Sequence, residues 1–175
     1  MDDSPTLRVV RGGGGRANLG RRPGAKGGAA EGFIGDVSSG DGRLAKHLYA
    51  DGGPSTTGTV GQVRMNGKEV FRNAVQEIAG AVFEVTERAK VSRHDIDWFV
   101  PHQANIRIIH SCAKKLELDE SKVIVTIDKH ANTSSASIPL ALDVGIRDGR
   151  IKRGDLLVFA ALGGGLAWGS ALVRY

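Results

Sequence analysis

The sequence predicts an α/β fold in which a mixed sheet is covered by helices. Three observations carry that expectation. Short β-branched or apolar segments alternate with helix-patterned stretches, the chain closes on two apolar runs around a triple glycine, and this texture begins only after residue 31. Strands separated by helices imply parallel neighbours, and the closing pair adds an antiparallel element.

Residues 1–31 are of a different kind. From Arg11 to Gly28 the chain holds eight glycines and five basic residues in eighteen positions, with Leu19 as its one large apolar side chain. Such a stretch buries too little surface to offset the entropy of ordering, so it is expected to be a disordered Gly/Arg-rich segment preceding a folded unit over 32–175. It also supplies +3 of the net charge of +5, through six Lys and Arg against Asp2, Asp3 and Glu31. The folded part is therefore nearly balanced, and no nucleic-acid binding is expected of it. An RNA-binding or scaffold role through the tract is the alternative from another class, but the tract lacks interleaved aromatic residues.

Phe33 to Val37 is a short apolar segment, and Asp51 to Gly58 carries the glycine, proline and hydroxyl residues of a loop. Asn66 is placed to cap a long helix, with Glu69 reaching back as a capping box, while Val70, Ala74, Ile78, Ala81, Val85 and Ala89 form a stripe that should lie against a sheet. Asp97 to Val100 reads as a strand stopped by Pro101. Ile106, Ile109, Ala113 and Leu116 then mark a second amphipathic helix. The β-branched run Val123 to Ile127 predicts a strand. Ile138 to Asp148 predicts a helix, with Pro139 in its first turn and Gly149 at its end. Leu156 to Leu162 and Ala167 to Tyr175 are the closing strands. Chemistry in such sheets gathers at the carboxyl ends of strands, which places His102, Asn132 and Gly163 to Gly165 in view.

Composition excludes several classes. With 25% charged residues and no long apolar run, the chain is expected to be soluble; the opening Met1 to Pro5 has no basic head or apolar core of a secretory signal, so a cytoplasmic setting is the expectation. The single cysteine, Cys112, leaves no internal disulfide and too few thiolates for a structural zinc site, and no metal is expected.

Three motifs carry a resemblance to a family. Val100-Pro101-His102-Gln103-Ala104-Asn105-Ile106-Arg107, His130-Ala131-Asn132-Thr133-Ser134-Ser135-Ala136-Ser137-Ile138-Pro139, and the run from Gly163 to Tyr175 resemble, in order, the histidine motif, the asparagine motif and the carboxyl terminus of the beta-ketoacyl-acyl carrier protein synthase III family. The resemblance covers about residues 32–175. It implies the carboxyl-terminal half of a thiolase-like fold and an acyltransferase of fatty acid synthesis, which condenses acetyl-coenzyme A with malonyl-acyl carrier protein as carbon dioxide leaves. It further implies His102 and Asn132 as the catalytic donors to the thioester oxygen, and Gly164 as a backbone oxyanion donor. Asn105 and Arg107 match contacts to pantetheine or the carrier protein; Met65, Gly67, Phe71 and Ala74 match a tunnel wall. Coenzyme A thioesters and acyl carrier protein enter as substrates with no separate cofactor, and the complete enzyme is expected to be a homodimer. A relative from secondary metabolism using another acyl donor is the alternative within the fold.

Plainer readings stand beside these. A histidine at a strand end is usually a surface or core residue, Asn is a common turn former, and a triple glycine makes a tight turn by itself. Arg107 fits a solvated helix charge, and Met65 and Phe71 fit an ordinary core as well as a tunnel wall. Cys112 falls among Ile109, Ala113 and Leu116, where a thiol should be inert. The family's nucleophilic cysteine belongs to its first half and has no counterpart here, so the chain alone is expected not to complete the condensation. The Gly/Arg tract stands where the family shows an apolar strand and a glycine turn, which suggests a frameshift or misplaced start.

Overall fold

The computed structural model describes residues 32–175, so the expectation of disorder in the Gly/Arg tract lies outside the described residues. Six strands and four α-helices follow in order: β1 (Gly32–Gly40), β2 (Leu48–Ala50), β3 (Val63–Met65), α1 (Gly67–Ala89), β4 (Trp98–Pro101), α2 (Ile106–Lys115), α3 (Ile127–His130), α4 (Ser137–Arg147), β5 (Leu156–Gly163) and β6 (Ala167–Arg174). The main sheet has the order β1-β6-β5-β4, with β4 parallel to β5 and the other neighbours antiparallel. It is the mixed sheet that the alternation predicts. A small ribbon, β2 with β3, stands apart from it.

The pleat of β5 divides the core. Leu156, Val158, Ala160 and Leu162 face one apolar cluster with Ile78, Val82 and Val85 of α1, while Leu157 and Phe159 face a second with Ala141 and Leu142 of α4. Both faces of the strand are thus covered, which is why its sequence is continuously apolar rather than alternating. Ser170 of β6 adds a hydrogen bond from Oγ to the Ala81 carbonyl oxygen at 2.7 Å, tying α1 to the sheet.

One glycine in β6 is required by packing. A Cβ at Gly169 would lie 2.6 Å from the carbonyl oxygen of Val37 on β1. Gly169→Ala must push the two strands apart, and we expect it to lower the unfolding free energy by about 1–3 kcal/mol in a urea titration of the chain.

Three local expectations differ from the structure. Asn66 caps α1, its Oδ1 accepting from the Glu69 amide at 3.3 Å, but the capping box is half formed. The Asn66 amide donates instead to the His47 carbonyl oxygen at 2.9 Å, and the Glu69 carboxylate turns to Arg72 at 2.9 Å. Ile106 is exposed; the inner face of α2 is Ile108, Ile109, Cys112 and Ala113, leading into Leu116. The expected strand over Val123 to Ile127 is a single parallel bridge from Val123 to Phe99, and Ile127 already opens α3. The bridge cannot lengthen because β4 ends at Pro101, and the Thr126 amide takes a side chain as partner instead.

Candidate active site

His102 leaves the end of β4 with its amide bound to the Ala160 carbonyl oxygen of β5 at 2.8 Å, which fixes where its side chain begins. Its Nδ1 lies 2.6 Å from the Ser137 hydroxyl at the start of α4. Burial disfavours the imidazolium and holds the His102 pKa below its ordinary value of 6.5. The ring is therefore neutral at physiological pH.

Gln103 takes the place of a missing strand. Fully buried, it donates from Nε2 to the carbonyl oxygens of Pro101 at 2.9 Å and Ile124 at 3.1 Å, and accepts from the Thr126 amide at 2.8 Å. One carboxamide thus joins the loop bearing His102 to the segment that leads to Asn132. That segment turns through Ala131 at φ 55° and ψ −162°, a conformation that glycine adopts far more readily. The Asn132 Oδ1 then accepts from the Ser134 amide at 3.0 Å.

Asn105 caps α2, its Oδ1 accepting from the Arg107 amide at 2.8 Å. The Arg107 guanidinium lies over the Phe71 ring of α1, 5.3 Å from its centre. Gly164 sits in the turn between β5 and β6, where a Cβ would lie 3.1 Å from the Leu48 carbonyl oxygen.

These elements enclose a cleft of about 1250 Å³ between the sheet end, α1, the β2–β3 ribbon and the loop after α3. His102, Asn132, Gly164, Asn105, Arg107, Met65, Gly67, Phe71 and Ala74 all line it. All nine candidate substrate-contacting residues reach this one space. Met65 is 64% exposed and so is no core residue, Phe71 is half-buried, and Ala74 is buried. The sequence reading passed over Leu48, Tyr49 and the serines Ser134, Ser135 and Ser137, which line the cleft too. The serines lie inside a motif already in view, but a run of small hydroxyl residues reads as a turn until the fold shows what it touches.

Chemically, the cleft combines an apolar wall with a neutral imidazole, a carboxamide, a close-approach glycine and a cation at its side. The thiol of Cys112 is outside this set: it is buried on α2, and burial pushes its pKa up to about 12. Among the described residues no helix is long and apolar enough to cross a membrane.

The mixed sheet, its two helical coverings and a cleft shared by a histidine and an asparagine have the arrangement of a thiolase-like fold. Comparison with known proteins resolves the family. The family described as 3-oxoacyl-[acyl-carrier-protein (ACP)] synthase III C terminal matches residues 86–175. The beta-ketoacyl-[acyl-carrier-protein] synthase III of Sphingopyxis alaskensis is 60% identical over 134 residues, covering 77% of this chain and 42% of that protein. The protein of the same name from Erythrobacter litoralis is 56% identical over 146 residues, covering 83% of this chain and 46% of the relative. Among solved structures, 3-oxoacyl-[acyl-carrier-protein] synthase III from Aquifex aeolicus superposes with a TM-score of 0.75 at 41% identity, over 82% of this chain and 44% of that one. The chain belongs to the beta-ketoacyl-acyl carrier protein synthase III family and matches its carboxyl-terminal part. It spans less than half the length of these relatives.

Proposed function

We propose that the cleft is the carboxyl-terminal share of an acyltransferase site, for condensing acetyl-coenzyme A with malonyl-acyl carrier protein to a 3-oxoacyl-acyl carrier protein. The observation that carries this reading is the convergence of His102, Asn132 and Gly164 on one cleft. In the reaction, the bond from the malonyl carbon to its carboxylate breaks and carbon dioxide leaves. The electron pair moves into an enolate whose charge rests on the thioester oxygen. Hydrogen-bond donors placed there before the charge appears lower the barrier, because they need no reorganisation as it develops. A neutral imidazole N–H and a carboxamide N–H are suited to this, since neither hands the enolate carbon a proton before it attacks the acetyl carbonyl. Gly164 would offer its backbone amide to the acyl oxygen. The Arg107 guanidinium would meet the phosphates of coenzyme A or the acidic surface of the carrier protein, and the apolar wall of Met65, Phe71 and Ala74 the pantetheine arm and acyl group. The substrates bring their own thioester chemistry, so the reading needs no further cofactor. Pairing of two complete enzymes into a homodimer belongs to the same reading.

The covalent step needs a thiolate, and the sole cysteine of this sequence has a pKa of about 12 and lies away from the cleft. The 175-residue polypeptide should therefore take up no acetyl group. Incubation with labelled acetyl-coenzyme A and malonyl-acyl carrier protein should leave the polypeptide unlabelled by mass and yield no 3-oxoacyl product. Any enzyme activity should be confined to slow release of carbon dioxide from the malonyl thioester. An acetylated Cys112, or condensation by the polypeptide alone, would end this division of labour.

A further inference from the structure

The turn between Asn132 and α4 does more than connect two elements. Its Ser137 is almost fully buried, and among the described residues the hydroxyl has two polar neighbours: His102 Nδ1 at 2.6 Å and the Gln103 amide at 3.2 Å. The Gln103 N–H is a donor and occupies one lone pair of the Ser137 oxygen. The remaining question is which way the proton lies between Ser137 and His102.

Two arrangements are open to a neutral ring. If Nδ1 carried the proton, the serine oxygen would receive two N–H groups, and its own hydrogen would be buried with no acceptor. If Nδ1 is bare, the serine hydroxyl donates to it, the Gln103 amide donates to the serine, and the Gln103 N–H, the Ser137 hydroxyl and His102 Nδ1 are all satisfied. The ring proton then sits on Nε2. The same turn treats Asn132 in the same sense: the Ser134 amide occupies Oδ1, which leaves the Nδ2 hydrogens as the free end of that side chain.

We propose that Ser137 is a positioning residue that fixes His102 as the Nε2–H tautomer, so that the Ser134 to Ser137 turn presets both cleft side chains as hydrogen-bond donors. This deepens the proposed function, since it explains how two groups that could each accept or donate are committed to donating. Ser137 touches no reacting atom in this scheme and acts through His102.

The test is nitrogen NMR of the imidazoles in the full 175-residue chain above the titration range, with the His102 signals identified by their loss in His102→Gln. In the unsubstituted chain we expect one tautomer for His102, with Nε2 protonated and Nδ1 bare, its nitrogens at the separate shifts of an N–H and a bare nitrogen and not at the averaged shifts of an exposed, exchanging ring. In Ser137→Ala the Nδ1 signal should move downfield, while the signals of His47 and His110 keep their positions and report an intact fold. A protonated Nδ1 in the unsubstituted chain overturns the proposal, as does an Nδ1 signal that stays in place in a folded Ser137→Ala. Should that variant fail to fold, the tautomer of the unsubstituted chain decides alone. This readout is separate from turnover. An Nε2–H tautomer in a chain whose His102 proves irrelevant to condensation would sink the proposed function and leave the present inference standing.

Discussion

His102→Ala should lower condensation by about 10²–10³-fold, or roughly 2.7–4 kcal/mol of transition-state stabilisation, the usual cost of losing one preorganised donor to a developing oxyanion. The measurement requires a complete enzyme in which residues 32–175 follow the amino-terminal part of the Sphingopyxis alaskensis relative, whose matched region is 60% identical. Asn132→Ala should cost a similar factor. The double substitution should cost less than the product of the two, because both groups serve one oxygen. His102→Gln, which keeps an N–H of similar reach, should recover part of the loss. An alanine variant that condenses at the unsubstituted rate would remove His102 from the reaction.

The same residue sets a pH dependence. Burial holds the folded pKa of His102 below 6.5, so the unfolded chain binds this proton more readily than the folded one. Stability from this group is therefore complete above about 6.5 and is lost as pH falls from there toward the depressed folded value. Activity should fall lower down, through the folded pKa itself, as the neutral donor becomes an imidazolium that gives its proton away too early. His102→Gln should flatten that acidic limb.

Much of this arrangement was legible in the sequence because its causes are local. The stripe from Val70 to Val85 has the period of one helix face and lies on the sheet, and Pro101 ends β4 where its missing N–H demands. His102 and Asn132 were singled out by the motifs around them and share one cleft, although Asn132 follows α3 and not the strand expected before it. What stayed hidden depends on partners far along the chain. The Val123 to Ile127 run has strand propensity, yet whether it pairs is decided by how far β4 extends and by what fills the gap beyond it. The capping box at Glu69 failed because Arg72 and the His47 carbonyl oxygen competed for the same groups. The Ser137 bond to His102 spans 35 positions, a separation at which no sequence pattern reveals contact.

The gap beyond β4 is filled by Gln103, and its replacement should be the most destabilising single change near the cleft. In Gln103→Leu the volume is kept, but the Thr126 amide and the carbonyl oxygens of Ile124 and Pro101 lose their side-chain partner in a place that water does not reach. One orphaned buried group costs about 1–3 kcal/mol, and the three share a single side chain, so a total of about 3 kcal/mol is expected rather than a full sum. Gln103→Glu separates shape from polarity. The carboxylate can still accept from Thr126, but it cannot donate, and its charge would face two carbonyl oxygens. It should be no more stable than the leucine variant at neutral pH and should recover as pH falls and the carboxyl group becomes a donor again. Urea titrations give the totals, and hydrogen exchange gives the location. The Thr126 amide should exchange faster in Gln103→Leu by the factor its lost bond implies, while amides in α1 change only as global stability does. Slow Thr126 exchange in that variant would show that the segment is held by something other than this carboxamide. Because the segment leads into Ala131 and Asn132, its loosening should also lower condensation in the complete enzyme beyond what the folded fraction accounts for, linking a buried structural bond to the placement of a donor it never touches.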